Sequence, residues 1–262
     1  MEFLFTNDDI CDIMHSGEIR REETTVRIDK LISDAGLASR REAARLARGG
    51  AVLVDGIAVK DLSVHIDPSV NRVSFMGREI VYSKYIYVML NKPAGYVSAT
   101  EDSRLPVVTE LLSDELQRRE LFPMGRLDRD TTGLMILTNN GPLSHALLSP
   151  KRHVAKEYFF TADEPLREGA ETDFESGITL ADGYECKPAQ LTLAEDRRSG
   201  IILLTEGKYH QIKRMVAAED NRVTSLKRIS FAGIPLDETL LPGEWRFLTD
   251  DEVKILENAN KS

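Results

Sequence analysis

The densest group of reactive side chains is Gly125-Arg126-Leu127-Asp128-Arg129-Asp130-Thr131-Thr132-Gly133. A carboxylate that attacks carbon must be ionised at neutral pH, so it needs a nearby cation to offset desolvation. Arg126 is one candidate partner for Asp128 inside the segment. An apolar stretch of strand length, residues 134–137, follows at once, closed by Asn139-Asn140-Gly141. A loop beside such a strand can set polar groups at the mouth of a sheet without filling the core. Asp and Thr also favour turns for their own sake, which leaves a purely structural reading of Asp128 and Asp130 open. Asp128-Arg129-Asp130-Thr131 imitates a phosphotransferase loop as well. That chemistry needs its first Asp at the end of a buried strand, where it serves metal and phosphate together. Here Pro123-Met124-Gly125-Arg126-Leu127 comes before the motif and the apolar strand after it, so a phosphatase is excluded.

A second group is Thr205-Glu206-Gly207-Lys208-Tyr209-His210-Gln211-Ile212-Lys213-Arg214-Met215. It follows a strand candidate at 201–204 and leads into a helix expected over 210–218. Ile212, Met215 and Val216 form the apolar stripe of that helix, which leaves Lys213 and Arg214 off it. Residues 205–228 hold six basic and three acidic side chains. His210 has no second metal ligand at useful spacing, so it reads as a hydrogen-bonding or structural group. Between the two groups lies Lys156-Glu157-Tyr158 at the head of a strand candidate. Tyr158 is either a core aromatic with its hydroxyl at the rim or a base-stacking surface.

The elements that must position these residues follow from periodicity and punctuation. Ser39 with Glu42 makes a capping box and Gly49-Gly50 a stop, predicting a short helix over 40–48. Arg41, Arg45 and Arg48 share one face of it, with Ala43, Leu46 and Ala47 opposite. The stripe is either a solvated face or a phosphate contact. A partner helix is expected over 26–35, ending at Gly36, and residues 52–59 read as strand, Asp-Gly turn, strand. From residue 85 onward, strands are expected at 85–90, 134–137, 158–161, 190–193, 201–204 and 223–226. Helices are expected at 142–148 and 210–218, with a third at the C-terminus capped by Thr249 and Glu252. Strands outnumber helices and do not alternate with them, which predicts an α+β architecture with a mixed, mainly antiparallel sheet. Three regions result: an acidic extension at 1–25, a small module at 26–83, and a large domain at 84–262.

Composition narrows the function classes. Net charge is −9, yet residues 26–83 carry nine basic and seven acidic side chains, so the total does not exclude an RNA partner. An apolar share of 42% suits a chain that buries a proper core. No apolar run reaches the roughly 18–20 residues of a membrane span, and Phe3-Leu4-Phe5 is too short for a signal-peptide core. A cytoplasmic protein without a membrane partner is expected. Cys11 and Cys186 stand far apart with no Cys/His cluster nearby, which argues against a disulfide framework or structural zinc.

Four segments in this order and spacing resemble the Rsu-type ribosomal small subunit pseudouridine synthases. They are Leu90-Asn91-Lys92-Pro93-Ala94-Gly95-Tyr96, the Gly125–Leu134 segment, Lys156-Glu157-Tyr158, and Glu206-Gly207-Lys208-Tyr209-His210-Gln211-Ile212-Lys213-Arg214-Met215. The resemblance covers about residues 26–255, and the small module is similar to the αL RNA-binding fold of a small-subunit ribosomal protein. It implies isomerisation of a uridine in 16S rRNA, with uridine 516 as the expected target, and no cofactor or metal. It implies Asp128 as catalytic nucleophile, Tyr158 packed on the target base, and Lys213 paired with Asp128, with Arg214 as the alternative. Arg126 and Ile212 would help hold the nucleotide. Arg27, Lys30, Arg40, Arg41, Arg45 and Arg48 would contact RNA. The expected partner is ribosomal RNA in a small-subunit assembly intermediate, bound by a monomer. A related synthase acting on 23S rRNA and a non-catalytic ribosome-assembly protein are the competing functions. The acidic stretch before residue 26 departs from the family pattern.

Overall fold

The computed structural model describes residues 25–68, 70–80, 84–149 and 152–260, and the acidic extension up to residue 24 lies outside them. The described residues form two compact units, 25–85 with Leu112–Leu121, and Ile86–Leu111 with 122–260.

In the smaller unit, Ser39 accepts a hydrogen bond from the Glu42 amide and starts the helix Arg40–Ala47. Ala43 and Ala47 face its core with Ile28, Leu31, Ile32, Val52 and Val73, while Arg40, Arg41, Arg45 and Arg48 are exposed. Burial of only the small residues puts the arginine stripe on the solvent side, as the pattern predicts. The helix expected over 26–35 is shorter. Val26–Arg27 is a strand paired with His65–Ile66, and the helix runs Ile28–Asp34. Arg27 is engaged locally, its Nε and Nη2 donating to the Asp29 carboxylate at 3.0 and 2.7 Å. Lys30 is exposed. The hairpin Val52–Val54 to Ile57–Ala58 turns at Asp55 and Gly56, both at positive φ, which matches the right-handed twist of the strands. A second hairpin, Val73–Phe75 to Arg78–Glu79, completes a four-stranded sheet. Its turn puts Met76 at φ 53°, a conformation that nothing in a methionine advertises.

The larger unit is built on a nine-stranded sheet. Its main path runs Gln190–Leu193, Ser199–Leu204, Lys156–Ala162, Val223–Phe231, Thr132–Thr138, Tyr87–Lys92, Trp245–Phe247. Pairing is antiparallel except between Val223–Phe231 and Thr132–Thr138, which makes the sheet mixed and mainly antiparallel. Tyr87–Lys92 is buried along its whole length and Thr132–Thr138 nearly so, as befits strands covered on both faces. The strand expected at 85–90 therefore begins two residues later and ends on Lys92. The parallel pair sets Gly133 opposite Arg228, and Gly133 has φ +94°. A Cβ there would stand 2.2 Å from the Arg228 carbonyl oxygen, so only glycine lets the strand leave its polar loop this close to its neighbour.

The helices Gly141–Leu148 and Gln211–Ala218 fall where expected, as does Asp250–Ala259 with a reciprocal capping box between Thr249 and Glu252. Met215, Val216 and Ile212 of the middle helix pack into a core with Phe160, Phe174, Ile202 and Leu204. The helix Ala170–Ser176 and the edge strand Trp245–Phe247 are additional to the predicted set. Among the described residues no helix is long and apolar enough to cross a membrane.

Candidate active site

Asp128 sits in the loop between the strands Phe122–Pro123 and Thr132–Thr138, with about a quarter of its side chain exposed. Its Oδ2 lies 3.2 Å from Lys213 Nζ, and its Oδ1 lies 3.6 Å from His210 Nε2. Lys213 also holds Asp130 Oδ1 at 2.6 Å. Burial opposes the Lys213 charge, but the hydrogen bonds to Asp130 and Asp128 outweigh it and leave the ammonium above its ordinary pKa. The same contact with Lys213 lowers the Asp130 carboxyl below the usual range. Lys213 is thus the cation that meets Asp128, drawn from a helix 85 residues further along the chain.

The other candidate partners go elsewhere. Arg214 forms an ion pair with Asp182. Arg126 is exposed, and among the described residues no ion pair joins it to Asp128. Ile212 is buried in the core beneath the helix that carries Lys213, and Tyr158, half-buried, packs against that same core. Tyr158 is the cross-strand neighbour of Arg228, and the Arg228 guanidinium is wholly buried with its Nε donating to the Leu134 carbonyl at 2.7 Å. Burial and the Tyr158 phenol act on that guanidinium in opposite senses, and burial prevails, lowering its pKa. His210, read from the sequence as a hydrogen-bonding or structural group, heads the Lys213 helix at φ 49° with its Nε2 toward Asp128.

The residues that hold the Asp128 loop in shape were not expected from spacing. Lys92 is fully buried, and its Nζ donates to the carbonyls of Pro93, Asp128, Arg129 and Thr131 at 2.9–3.2 Å. One ammonium therefore organises three carbonyls of the loop around Asp128. Gly95 N donates to the Arg129 carbonyl at 2.8 Å. Ser98 Oγ donates to the Leu127 carbonyl at 2.7 Å and accepts from the Leu127 amide at 3.0 Å. The segment from Asn91 to Gly95 looks in sequence like a turn closing a strand. A lysine at the end of a continuous apolar strand was the signal that its charge must be satisfied indoors. Among the described residues no cluster of His, Cys, Asp or Glu could hold a metal ion.

A family model described as RNA pseudouridylate synthase matches residues 86–218, and one described as S4 domain matches residues 26–70. The chain is 43% identical over 234 residues to the uncharacterized RNA pseudouridine synthase YtzG of Bacillus subtilis (strain 168), covering 88% of this chain and 98% of the relative. It is 40% identical over 232 residues to ribosomal small subunit pseudouridine synthase A of Yersinia pestis, covering 87% and 97%. A crystal structure of a pseudouridylate synthase superposes with a TM-score of 0.63 at 36% identity, covering 88% of this chain and 99% of that one.

Removing the Lys92 ammonium leaves buried carbonyls without donors, so Lys92→Met is expected to lower stability by about 2–4 kcal/mol in urea unfolding at pH 7. The pH dependence has a fixed sign. Burial pushes Lys92 down to about 8, whereas the unfolded side chain keeps its proton up to its ordinary 10.5. The unfolded state then binds more protons across that interval, so wild-type stability rises relative to Lys92→Met between pH 8 and 10.5. A constant difference across that window would show that burial does not lower the Lys92 pKa and that the ammonium keeps its proton in the fold as firmly as in the unfolded chain.

Proposed function

Because the chain belongs to the RNA pseudouridylate synthase family, we propose that it converts uridine 516 of 16S rRNA to pseudouridine, with Asp128 as the nucleophile. The observation that carries the reading is the Lys213 ammonium 3.2 Å from the Asp128 carboxylate, in a site partly closed from water. The relatives named for the ribosomal small subunit support the choice of rRNA.

The reaction breaks the bond between C1′ of ribose and N1 of uracil, turns the base, and joins C1′ to C5. C5 gives up its proton and N1 gains one, so atoms and electrons balance within the nucleotide. The bond that ionised Asp128 forms to the nucleotide breaks again before the product leaves, which returns the carboxylate, and Lys213 offsets the cost of keeping that charge away from bulk water. Tyr158 packs on one face of the uracil and Ile212 supports the other, so that the detached base is retained while it rotates. Arg126 and Arg214 hold the nucleotide's backbone from the rim.

A uridine within structured RNA must first be turned out of its stack, at a cost of a few kcal/mol. We assign part of the compensation to the small module at 26–83, whose exposed Lys30, Arg40, Arg41, Arg45 and Arg48 suit phosphate contacts, and to Arg27, which is partly exposed although paired with Asp29. The large domain at 84–262 performs the chemistry. The enzyme acts in the cytoplasm as a monomer on a small-subunit assembly intermediate.

Asp128→Asn is expected to abolish isomerisation, read as tritium release from [5-³H]uridine-labelled rRNA, and to keep RNA affinity within a few-fold. Normal turnover by that variant would remove Asp128 from its role. Mapping pseudouridine in 16S rRNA from cells lacking the gene is expected to show one site lost, at position 516. Arg41→Glu combined with Arg45→Glu is expected to weaken RNA binding and to shallow the slope of log K against log salt by about 2. An unchanged slope would mean that the stripe is only a solvated face.

A further inference from the structure

Turning a uridine out of RNA exposes more than the uridine. Its neighbour in the strand loses a stacking partner, and a protein that offers a replacement ring lowers the cost of the turned-out state. The segment next to Asp128 carries such a ring. Tyr209 is 75% exposed although it adjoins the buried start of the helix Gln211–Ala218. Its ring lies on that of His210 with centroids 3.8 Å apart and planes inclined by 18°, and His210 Nε2 is the atom 3.6 Å from Asp128. Asp128, His210 and Tyr209 therefore form a continuous series, with the open face of the tyrosine at its outer end.

The pair is held rigidly for a surface feature. Glu206 accepts hydrogen bonds from Gln211 Nε2 at 2.6 Å, from the Lys187 amide at 2.8 Å and from the Tyr184 hydroxyl at 2.9 Å. Gln211 Oε1 in turn accepts from the Lys208 amide at 2.8 Å. Glu206 and Lys208 before Tyr209, and Gln211 after His210, are thereby tied to one another and to Tyr184 and Lys187. His210 adopts φ 49°, a left-handed conformation costly for a residue with a Cβ, and this turn brings the two rings together. An aromatic face that is exposed, fixed in place and built through a strained residue suits recognition better than packing. The neighbouring cations are already engaged, Lys213 by Asp128 and Asp130 and Lys208 over the Tyr184 ring at 4.7 Å, so what the platform offers is its open π face, which suits a nucleobase.

We infer that the Tyr209–His210 stack is the platform on which the nucleobase adjoining the target uridine stacks once that uridine is turned toward Asp128. The inference rests on the proposed action of Asp128 on uridine. The platform is sequence-tolerant, because every base has a π face, and it contributes through stacking and not through charge.

The test uses the full chain and [5-³H]uridine-labelled 16S rRNA, naked or assembled into small-subunit particles, whichever the wild type modifies. Tyr209→Ala is expected to raise KM roughly tenfold with kcat within twofold, equally at low and high salt. Tyr209→Phe is expected to recover wild-type KM, and Tyr209→Leu, which keeps bulk and loses the π face, is expected to resemble Tyr209→Ala. Thermal unfolding of each variant separates a folding defect from a binding one, and should Tyr209→Ala fold poorly, the Phe-against-Leu comparison decides. A Tyr209→Ala KM within twofold of wild type, or equal KM for Phe and Leu, overturns the inference and leaves the action of Asp128 intact. A salt-dependent loss also overturns it, since that marks a phosphate contact. No tritium release by the wild type from either substrate overturns the functional reading itself, and the platform with it.

Discussion

A partly buried carboxylate that is to act as a nucleophile needs a cation beside it, and the cation that meets Asp128 is Lys213, 3.2 Å away. Lys213 reaches Asp128 from the first turn of a helix whose apolar side, Ile212, Met215 and Val216, is fixed in the core. At this separation the gross attraction is on the order of 4 kcal/mol for a partly screened pair, enough to offset much of the cost of partial burial. The lysine is shared with Asp130, which is largely exposed. Sharing leaves the trio with net negative charge and leaves one carboxylate, Asp128, facing inward. The loop that carries Asp128 and the helix that carries Lys213 must therefore be held at the right separation.

Two devices hold the loop. Lys92, at the end of a buried strand, gathers the carbonyls of Asp128, Arg129 and Thr131 around a single ammonium. Gly133 then lets the chain enter the sheet directly alongside Arg228, where a side chain would collide with backbone. A loop fixed by carbonyl–ammonium bonds costs little side-chain entropy at the moment of reaction, which is the condition for orienting a carboxylate before substrate arrives. Arg228 extends the same logic sideways, since its guanidinium links the strand after the loop, through Leu134, to the neighbourhood of Tyr158.

Part of this was legible from residue types. The apolar stripe of 210–218 placed Lys213 off the core, whereas its pairing with Asp128 was implied only by the resemblance of the quoted segments to a known family. The strands at 190–193 and 201–204 and the Thr249 cap followed from alternation and capping chemistry. The choice between Lys213 and Arg214 was not legible, because adjacent helix positions differ by only 100° and Asp182, the partner that draws Arg214 away, lies in a distant turn. Arg126 looked like the natural partner of Asp128 by proximity in sequence, but two positions along an irregular loop fix no common direction. Lys92 was hidden within a turn signature, and its four acceptors come from two segments that meet only in the folded sheet. In the small unit, the strand at Val26–Arg27 was hidden by apolar spacing that also suits a helix, since short apolar runs do not distinguish the two.

The central claim is that the Lys213 cation makes Asp128 a working nucleophile, and it is most directly tested by single-turnover isomerisation of 16S rRNA by Lys213→Met and Lys213→Arg. The account predicts that Lys213→Met stays folded under assay conditions, though less stable than the wild type, and binds RNA within a few-fold, but loses at least about 100-fold in rate, the scale of one well-placed charged group, and that Lys213→Arg restores a substantial part of it. Wild-type turnover by Lys213→Met would contradict the account, because the Asp128 carboxylate would then be shown to act without its cation.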